Sequence, residues 1–166
     1  PAFLQTMRVA LCIRLKEEMG VENILKREQE QLHYLFTERD KIPNLHVLAN
    51  QHRNRLGVIS FYIDNLHYNV AVKILNDRFG IQTRGGCSCA GTYGHYLLNV
   101  APETSSAITS QISSGNCSSK PGWVRLSVHP TTTDEELQYM VEALKALCEQ
   151  HTDWSKDYRI DWVSGH

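Results

Sequence analysis

The chain has 166 residues with a formal net charge of -1 at pH 7, and 42% of its residues are hydrophobic and 21% are charged. These fractions are typical of a globular chain that is long enough to bury a core, and they exclude a disordered tail. Because basic and acidic residues are interspersed and no apolar run approaches the ~20 residues of a transmembrane helix, neither nucleic acid nor a membrane is an expected partner.

The N-terminal part of the chain predicts two helices and then two strands. Apolar residues at helical spacing predict a helix from Pro1 to Met19, which Gly20 ends, and a second helix from Glu22 to about Arg39. Alternating apolar and polar residues predict strands at Leu45 to Ala49 and at Gly57 to Ile63. The polar segment between these strands is consistent with a hairpin.

The middle of the chain predicts a helix followed by a strand. Asp64-Asn65 offers N-cap oxygens to a helix from His67 to Phe79, and Gly80 is suited to end it. Ile81 to Arg84 reads as a short strand that stops at Gly85-Gly86, where the backbone is free to take positive φ. Functional groups are often presented on such loops.

The next segment alternates short helices with loops and ends in a strand. A helical turn is predicted over Thr92 to Leu98, and a helix over Pro102 to Ser113, because proline is favoured at the first helical position. Ser113 to Gly122 is rich in Ser, Gly, Asn and Pro and predicts a mobile surface loop. Trp123 to His129 alternates between an apolar and a polar face, and Arg125 lies on the polar one.

The C-terminal helix is the clearest element of the sequence. Thr133 and Glu136 form a capping box, and an apolar helical stripe follows them. Trp154, Tyr158 and Trp162 predict that the C-terminal tail packs on the rest of the chain. Together the elements predict an α+β fold in which helices cover one face of a small, mainly antiparallel sheet.

The loop from Ile81 to Ala90 carries the chemistry, because it presents Cys87 and Cys89 directly after Arg84. A metal site would need partners at a recognisable ligand spacing, and none is evident. A disulfide between alternate residues of an extended segment is near the limit of bridgeable separation. A nucleophile is reasonable since a nearby arginine and loop amides favour the thiolate. The alternative interpretation is two small, half-buried structural cysteines, which is the commoner case for an arbitrary cysteine, so the residue types alone leave the choice open.

Arg125 and the cysteine count allow further interpretation. An arginine on the polar face of a strand is either a solvated surface charge or a clamp for a substrate carboxylate. The odd number of five cysteines favours free thiols in a reducing cytoplasm over a disulfide framework. The chain opens without an initiator Met, which suggests a piece of a longer protein.

Three stretches together resemble the C-terminal part of class V aminotransferases, which are fold-type I enzymes that use pyridoxal phosphate (PLP) and include cysteine desulfurases and selenocysteine lyases. These stretches are Gly80 to Gly91 (GIQTRGGCSCAG), Tyr93-Gly94-His95 and Lys120 to Leu126 (KPGWVRL). The resemblance covers nearly the whole chain, and its most specific part is the block Arg-x-Gly-x-x-Cys-Ala. It implies the small C-terminal domain of such an enzyme, cytoplasmic and acting on an amino acid.

The resemblance also implies roles for three residues. The arginine that matches Arg125 binds the α-carboxylate of the substrate, and the one that matches Arg84 lies by the same pocket. The residue that matches Cys89 takes the sulfur as a persulfide in desulfurases. Cys87, where many desulfurases have His, and the long segment from Tyr93 to Pro121 depart from the family pattern. A plain aminotransferase and a cysteine desulfurase or selenocysteine lyase therefore both stay open.

The resemblance further implies a divided enzyme. Residues 1–20 are expected to be an interdomain helix, 21–151 the small domain and 152–166 an aromatic tail. The Schiff-base lysine motif, Ser-x-His-Lys in the family, does not occur here, so PLP is expected in the full-length parent and not on this fragment. The parent is expected to contain a large N-terminal domain and to be a homodimer. The competing class is a non-catalytic metal- or redox-binding α+β module.

Overall fold

Six helices and four strands follow one another in the computed structural model, which describes residues 2–87, 91–117 and 120–161, with the backbone alone at 91 and 92. The helices are α1 (Phe3–Met19), α2 (Val21–Arg39), α3 (Tyr68–Phe79), α4 (Gly91–Leu97), α5 (Pro102–Ser113) and α6 (Asp134–Trp154). The strands are β1 (Leu45–Val47), β2 (Val58–Ile63), β3 (Arg84–Gly86) and β4 (Trp123–Ser127). Within these ranges no helix is long and apolar enough to cross a membrane.

The strands form one antiparallel sheet in the order β1-β2-β4-β3. β1 and β2 are a hairpin, as their sequence predicts, with Val47 opposite Phe61. β4 lies between β2 and β3, so the strand that follows the long segment after the cysteine loop returns to the middle of the sheet. The predicted small antiparallel sheet of an α+β domain is confirmed.

Helices cover one face of the sheet, where every second strand residue is apolar. Phe61 and Val124 are opposite each other on β2 and β4 and are 1% exposed. Leu35 of α2, Ile74 of α3 and Leu147 of α6 belong to the same buried cluster. Alternation along the strands fixes this arrangement, because a shift of one residue in register would turn the whole apolar set away from the helices.

The ends of two helices confirm their sequence signals. Gly80 follows α3 with φ 66°, in the left-handed region, and its N–H donates to the carbonyl of Asn76. At the start of α6 the backbone N–H of Glu136 donates to the Thr133 hydroxyl, and Glu136 accepts from the Thr133 N–H. Both capping motifs therefore form as predicted.

The predicted N-cap of α3 at Asp64-Asn65 is wrong. The chain makes a tight turn there, with Asn65 at φ 59°, and the helix begins later, at Tyr68. His67 is the N-cap residue, and its Nδ1 accepts a hydrogen bond from the N–H of Asn69. A capping imidazole was not anticipated, since Ser, Thr, Asp and Asn are the usual caps.

The predicted strand at Ile81 to Arg84 is displaced. The strand observed, β3, begins at Arg84 and runs through the two glycines, which pair with Val124 and Trp123 of β4. Glycine suits the close packing here, because a Cβ atom on Gly85 would lie 2.9 Å from Oδ1 of Asn69 and 3.1 Å from Cγ2 of Val72, both on α3. Close approach of a helix to the edge strand thus outweighs the low strand propensity of glycine.

The two ends of the described chain differ in their packing. α1 contributes no buried residue, and its apolar side chains, which include Leu4 and Met7, are 71% and 61% exposed. At the other end Trp154 and Tyr158 pack against the core, as the sequence predicts for the tail. Trp162 lies outside the described residues.

Candidate functional site

The face of the sheet opposite the helices brings the two predicted arginines together. Arg84 of β3 is directly opposite Arg125 of β4, and Ser60 of β2 is opposite Arg125 on its other side. Residues opposite each other in an antiparallel pair project from the same face, so the three side chains form a row across three strands. Arg84 is exposed and Arg125 is half-buried.

This row carries two positive charges. Over residues 2–87, 91–117 and 120–161 neither Arg84 nor Arg125 forms an ion pair, whereas Arg27, Arg39, Arg53 and Arg78 each have an acidic partner. Like charges directly opposite each other weaken strand pairing. A ligand with a carboxylate would neutralise the pair, and the planar guanidinium fork is suited to bind one with two hydrogen bonds.

The cysteine loop begins where β3 ends. Cys87 is half-buried, and a Cβ atom on Gly94 of α4 would lie 3.9 Å from its Cβ. Cys89, the predicted nucleophile, lies outside the described residues, so its role stays a prediction. Cys117, at the end of the segment that departs from the family pattern, is also half-buried.

Tyr68, at the start of α3, packs against the end of β3: a Cβ atom on Gly85 would lie 3.1 Å from its ring. Burial is the largest cause of the raised pKa of its phenol, and negative charge on Cys87 or Cys117 adds to the effect. A Cβ atom on Gly122 would lie 2.5 Å from the Tyr68 ring, so the chain before β4 passes over the ring closely. Tyr68 thus holds the ends of β3 and β4 against α3.

Helices α4 and α5 border a cavity of about 520 Å³ beside the arginine row. The predicted helical turn at 92–98 and the predicted helix at 102–113 are confirmed as these two elements. Trp123 of β4 forms part of the cavity wall and is 4% exposed. The alternation along β4 predicts that Trp123 lies on the polar face, and the structure confirms this position. Helix α4 nevertheless covers the side chain, because a Cβ atom on Gly94 would be 3.0 Å from the indole ring.

Two polar side chains that line the cavity were not singled out together by the sequence. Nδ1 of His95 and Oγ of Ser105 are 2.6 Å apart, which joins α4 to α5. Lys120 lies at the cavity and is half-buried. A separation of ten residues between His95 and Ser105 matches no local motif, so only the packing of the two helices could reveal the pair. His129, the other histidine considered, is exposed.

Metal-binding and lysine side chains are the other groups that a site could use. In the described ranges no group of three or more His, Cys, Asp and Glu side chains is placed to hold a metal ion. The strand residues of the open face, which include His46, Tyr62 and the arginine row, contain no lysine. The lysine nearest to this face along the chain before β4 is Lys120, which lies at the cavity and not on a strand.

A model of the aminotransferase class-V family matches residues 1–140, which include the cysteine loop and both arginines. The chain belongs to the class V aminotransferase family. The match confirms the resemblance that the cysteine loop and β4 indicate. Class V aminotransferases and cysteine desulfurases are PLP-dependent families.

Relatives of this class V chain include cysteine desulfurases of Escherichia coli (strain K12 / DH10B) and Escherichia fergusonii. Each is 36% identical to it over 72 residues, which are 43% of this chain and 17% of the relative. The apo structure of cysteine desulfurase from Thermococcus onnurineus NA1 matches with a TM-score of 0.58 at 22% identity, over 82% of this chain and 29% of that chain. The structural likeness establishes a shared fold, and this class V chain spans under a third of that protein.

Proposed function

We propose that this chain is the C-terminal small domain of a PLP-dependent class V enzyme that acts on an amino acid, and that Arg125 and Arg84 bind the α-carboxylate of the substrate. The observation that carries the proposal is the arginine row itself. Arg84 and Arg125 are paired across β3 and β4 and project from the same face, and the described residues contain no ion-pair partner for either.

The electrostatics favour a bound anion over a merely solvated surface. Like charges directly opposite each other weaken strand pairing by roughly 0.2–1 kcal/mol, so the two arginines lower the stability of the ligand-free chain. A carboxylate between them turns this repulsion into two charge-assisted interactions. Arg125 is half-buried and central in the sheet, so it is the better-fixed anchor, and Arg84 on the exposed edge strand completes the charge.

The cofactor site is assigned to another part of the enzyme. PLP supplies an electron sink for chemistry at the substrate Cα when it is bound, and the open-face residues of the four strands include no lysine that would hold it. The contribution of this domain is to bind and orient the carboxylate so that one bond at Cα is placed for reaction. The expected large N-terminal domain and a homodimeric parent belong to the same proposal.

The exposed apolar side chains of α1 support the proposed domain boundaries, in which 1–20 is an interdomain helix, 21–151 the small domain and 152–166 a tail. Phe3, Leu4 and Leu11 are 71%, 71% and 62% exposed. A helix with apolar residues but nothing packed on them is unusual for a surface helix. Packing against the large domain would bury these side chains.

A second candidate function is cysteine desulfuration with Cys89 as the residue that accepts sulfur. The names of the relatives favour it, since both are cysteine desulfurases. In the enzyme that contains this chain, Cys89→Ala should abolish sulfide release from cysteine in the presence of a thiol reductant, and Cys117→Ala serves as a matched control. Unchanged release from Cys89→Ala would contradict the persulfide role of Cys89.

The carboxylate proposal is tested by Arg125→Lys in the same enzyme. A point charge cannot reproduce the two hydrogen bonds of a guanidinium, so the Michaelis constant for the amino acid should rise by about tenfold or more. Arg78→Lys is the matched control, since Arg78 lies on α3 and pairs with Asp157, and it should leave the Michaelis constant unchanged. A wild-type value for Arg125→Lys would refute the assignment.

A further inference from the structure

The cavity between Trp123 and helices α4 and α5 is positioned to contact the same ligand as the arginine row. We infer that it holds the side chain of the amino acid substrate and selects amino acids with a large aromatic side chain. This inference rests on the proposed function, because it takes Arg125 as the carboxylate anchor. It adds the substrate class, which neither the family nor the arginine row defines.

Strand register places the cavity next to the anchor. Trp123 and Arg125 are two residues apart on β4, so they lie on the same face at a separation of roughly 7 Å. Their partners on β3 are Gly86 and Arg84, and Cys87 follows at the cavity wall. A carboxylate held by Arg125 therefore lies on the same face as Trp123, which forms part of the cavity wall, and the substrate side chain is the part that can extend into the cavity.

The size of the cavity argues against a small side chain. Its volume of about 520 Å³ is within the ~300–1,000 Å³ range that is typical of sites for small organic ligands. The CH₂–SH group of cysteine would leave most of that volume without contacts. Apolar side chains dominate the wall, and they are Leu98, Val100, Pro102, Ile112, Pro121 and Trp123.

The composition of the wall favours an aromatic ring. Trp123 presents an indole ring that α4 and the sheet hold in place. A pair of aromatic rings is stabilised by more than the burial of its surface area alone. His95 has one ring nitrogen engaged by Ser105, which fixes its orientation, and Lys120 adds a donor at the same cavity. These groups allow a polar substituent on the ring without requiring one.

The inference has a direct binding test on the 166-residue chain labelled with ¹⁵N. The probes are N-acetyl-L-phenylalanine and N-acetyl-L-alanine, which share the carboxylate and differ in the ring. The signal is the indole N–H of Trp123, assigned with Trp123→Phe. We expect N-acetyl-L-phenylalanine to bind at least tenfold more tightly, since ring burial supplies that difference, and Arg125→Lys to weaken both probes.

The outcomes separate the two proposals. If both probes bind equally and Arg125→Lys weakens both, the carboxylate site stands and the aromatic pocket is overturned. If neither probe shows binding that depends on Arg125, the proposed function fails and the inference fails with it. Binding of the aromatic probe that is insensitive to Arg125→Lys would show an apolar cavity unrelated to the carboxylate site, and would also overturn the inference.

A cavity-filling variant provides an independent check. Thr109 lies at the cavity on the exposed helix α5, and Thr109→Trp should reduce the affinity for N-acetyl-L-phenylalanine by about tenfold while the affinity for N-acetyl-L-alanine is unchanged. Thr104→Trp is the matched control on the same helix, away from the cavity-lining set. The dispersion of the ¹⁵N spectrum reports whether each variant folds, and Thr109→Leu replaces Thr109→Trp if it does not. Unchanged affinity for the aromatic probe in a folded filling variant would contradict the inference.

Discussion

The two faces of the sheet are built from alternate residues of the same strands, yet they obey different rules. On the covered face Phe61 and Val124 are almost fully buried beneath three helices. On the open face Ser60, Arg125 and Arg84 form a row with two unpaired positive charges among the described residues. The first face stabilises the fold, and the second carries like charges that weaken strand pairing. The proposed carboxylate site therefore lies on the face that contributes less to stability.

The sharpest test of this contrast uses neighbouring residues of β2. Phe61→Ala should lower the free energy of unfolding by about 3–5 kcal/mol, because it leaves a cavity at a site that is 1% exposed. Tyr62→Ala, on the open face and stacked on His46, should cost less than about 1 kcal/mol. Urea unfolding of both variants measures the difference. Similar losses from the two variants would mean that the faces are equally packed.

A smaller effect concerns pH and the buried thiol of α6. Burial, with a contribution from Glu149, raises the pKa of Cys148 from its ordinary 9.0 to about 12. The unfolded chain loses this proton above pH 9 while the folded chain keeps it, so the contribution of Cys148 to stability falls as pH rises from about 9 towards 12. Between pH 9 and 10 the loss should be about 1 kcal/mol.

The comparison that isolates this effect is with Cys148→Ala, which lacks the titrating group. Its free energy of unfolding should fall less steeply than that of the wild type over pH 9 to 10. Val141→Ala truncates the same helix face without removing a titrating group, so it should lower stability by the same amount at each pH. A wild-type pH slope in Cys148→Ala would show that the thiol is not the cause.

The smallest predicted effect concerns the open face and is a gain in stability, whereas the preceding ones are losses. Arg84→Gln should raise the free energy of unfolding by about 0.2–1 kcal/mol at low salt, because it removes the repulsion from Arg125. High salt should reduce the gain, since it screens exposed charges. Arg78→Gln is the matched control: it loses an ion pair to Asp157 at 2.8 Å and should leave stability unchanged or slightly lower. A loss of stability in Arg84→Gln would show that Arg84 is structurally required.

Local signals predicted the elements well where they agreed with the tertiary packing. Gly20 and Gly80 end their helices, and the Thr133 capping box begins α6. Predictions failed where long-range contacts prevailed. β3 runs through Gly85 and Gly86 because pairing with β4 and close packing on α3 require them there. Glycine has a low strand propensity, so the local sequence predicts that the strand ends before these two residues.

The candidate site was predictable in its residues and not in its shape. Arg84 and Arg125 were identified from the sequence, but their positions opposite each other depend on the register of strands that are 41 positions apart in the numbering. The cavity and the pair of His95 and Ser105 had no sequence signal, because they arise from the packing of two helices in a segment that was read partly as a surface loop.

The sequence by itself determined the family, the α+β class and the alternation that separates a covered from an open face, because periodicity and capping are local properties of the chain. Tertiary structure alone decided that two arginines share one row, that Trp123 is buried on the polar side and that a cavity lies beside them. Each of these depends on which distant segments are neighbours. Pairing between distant strands and packing between helices supply that information, and local sequence does not contain it.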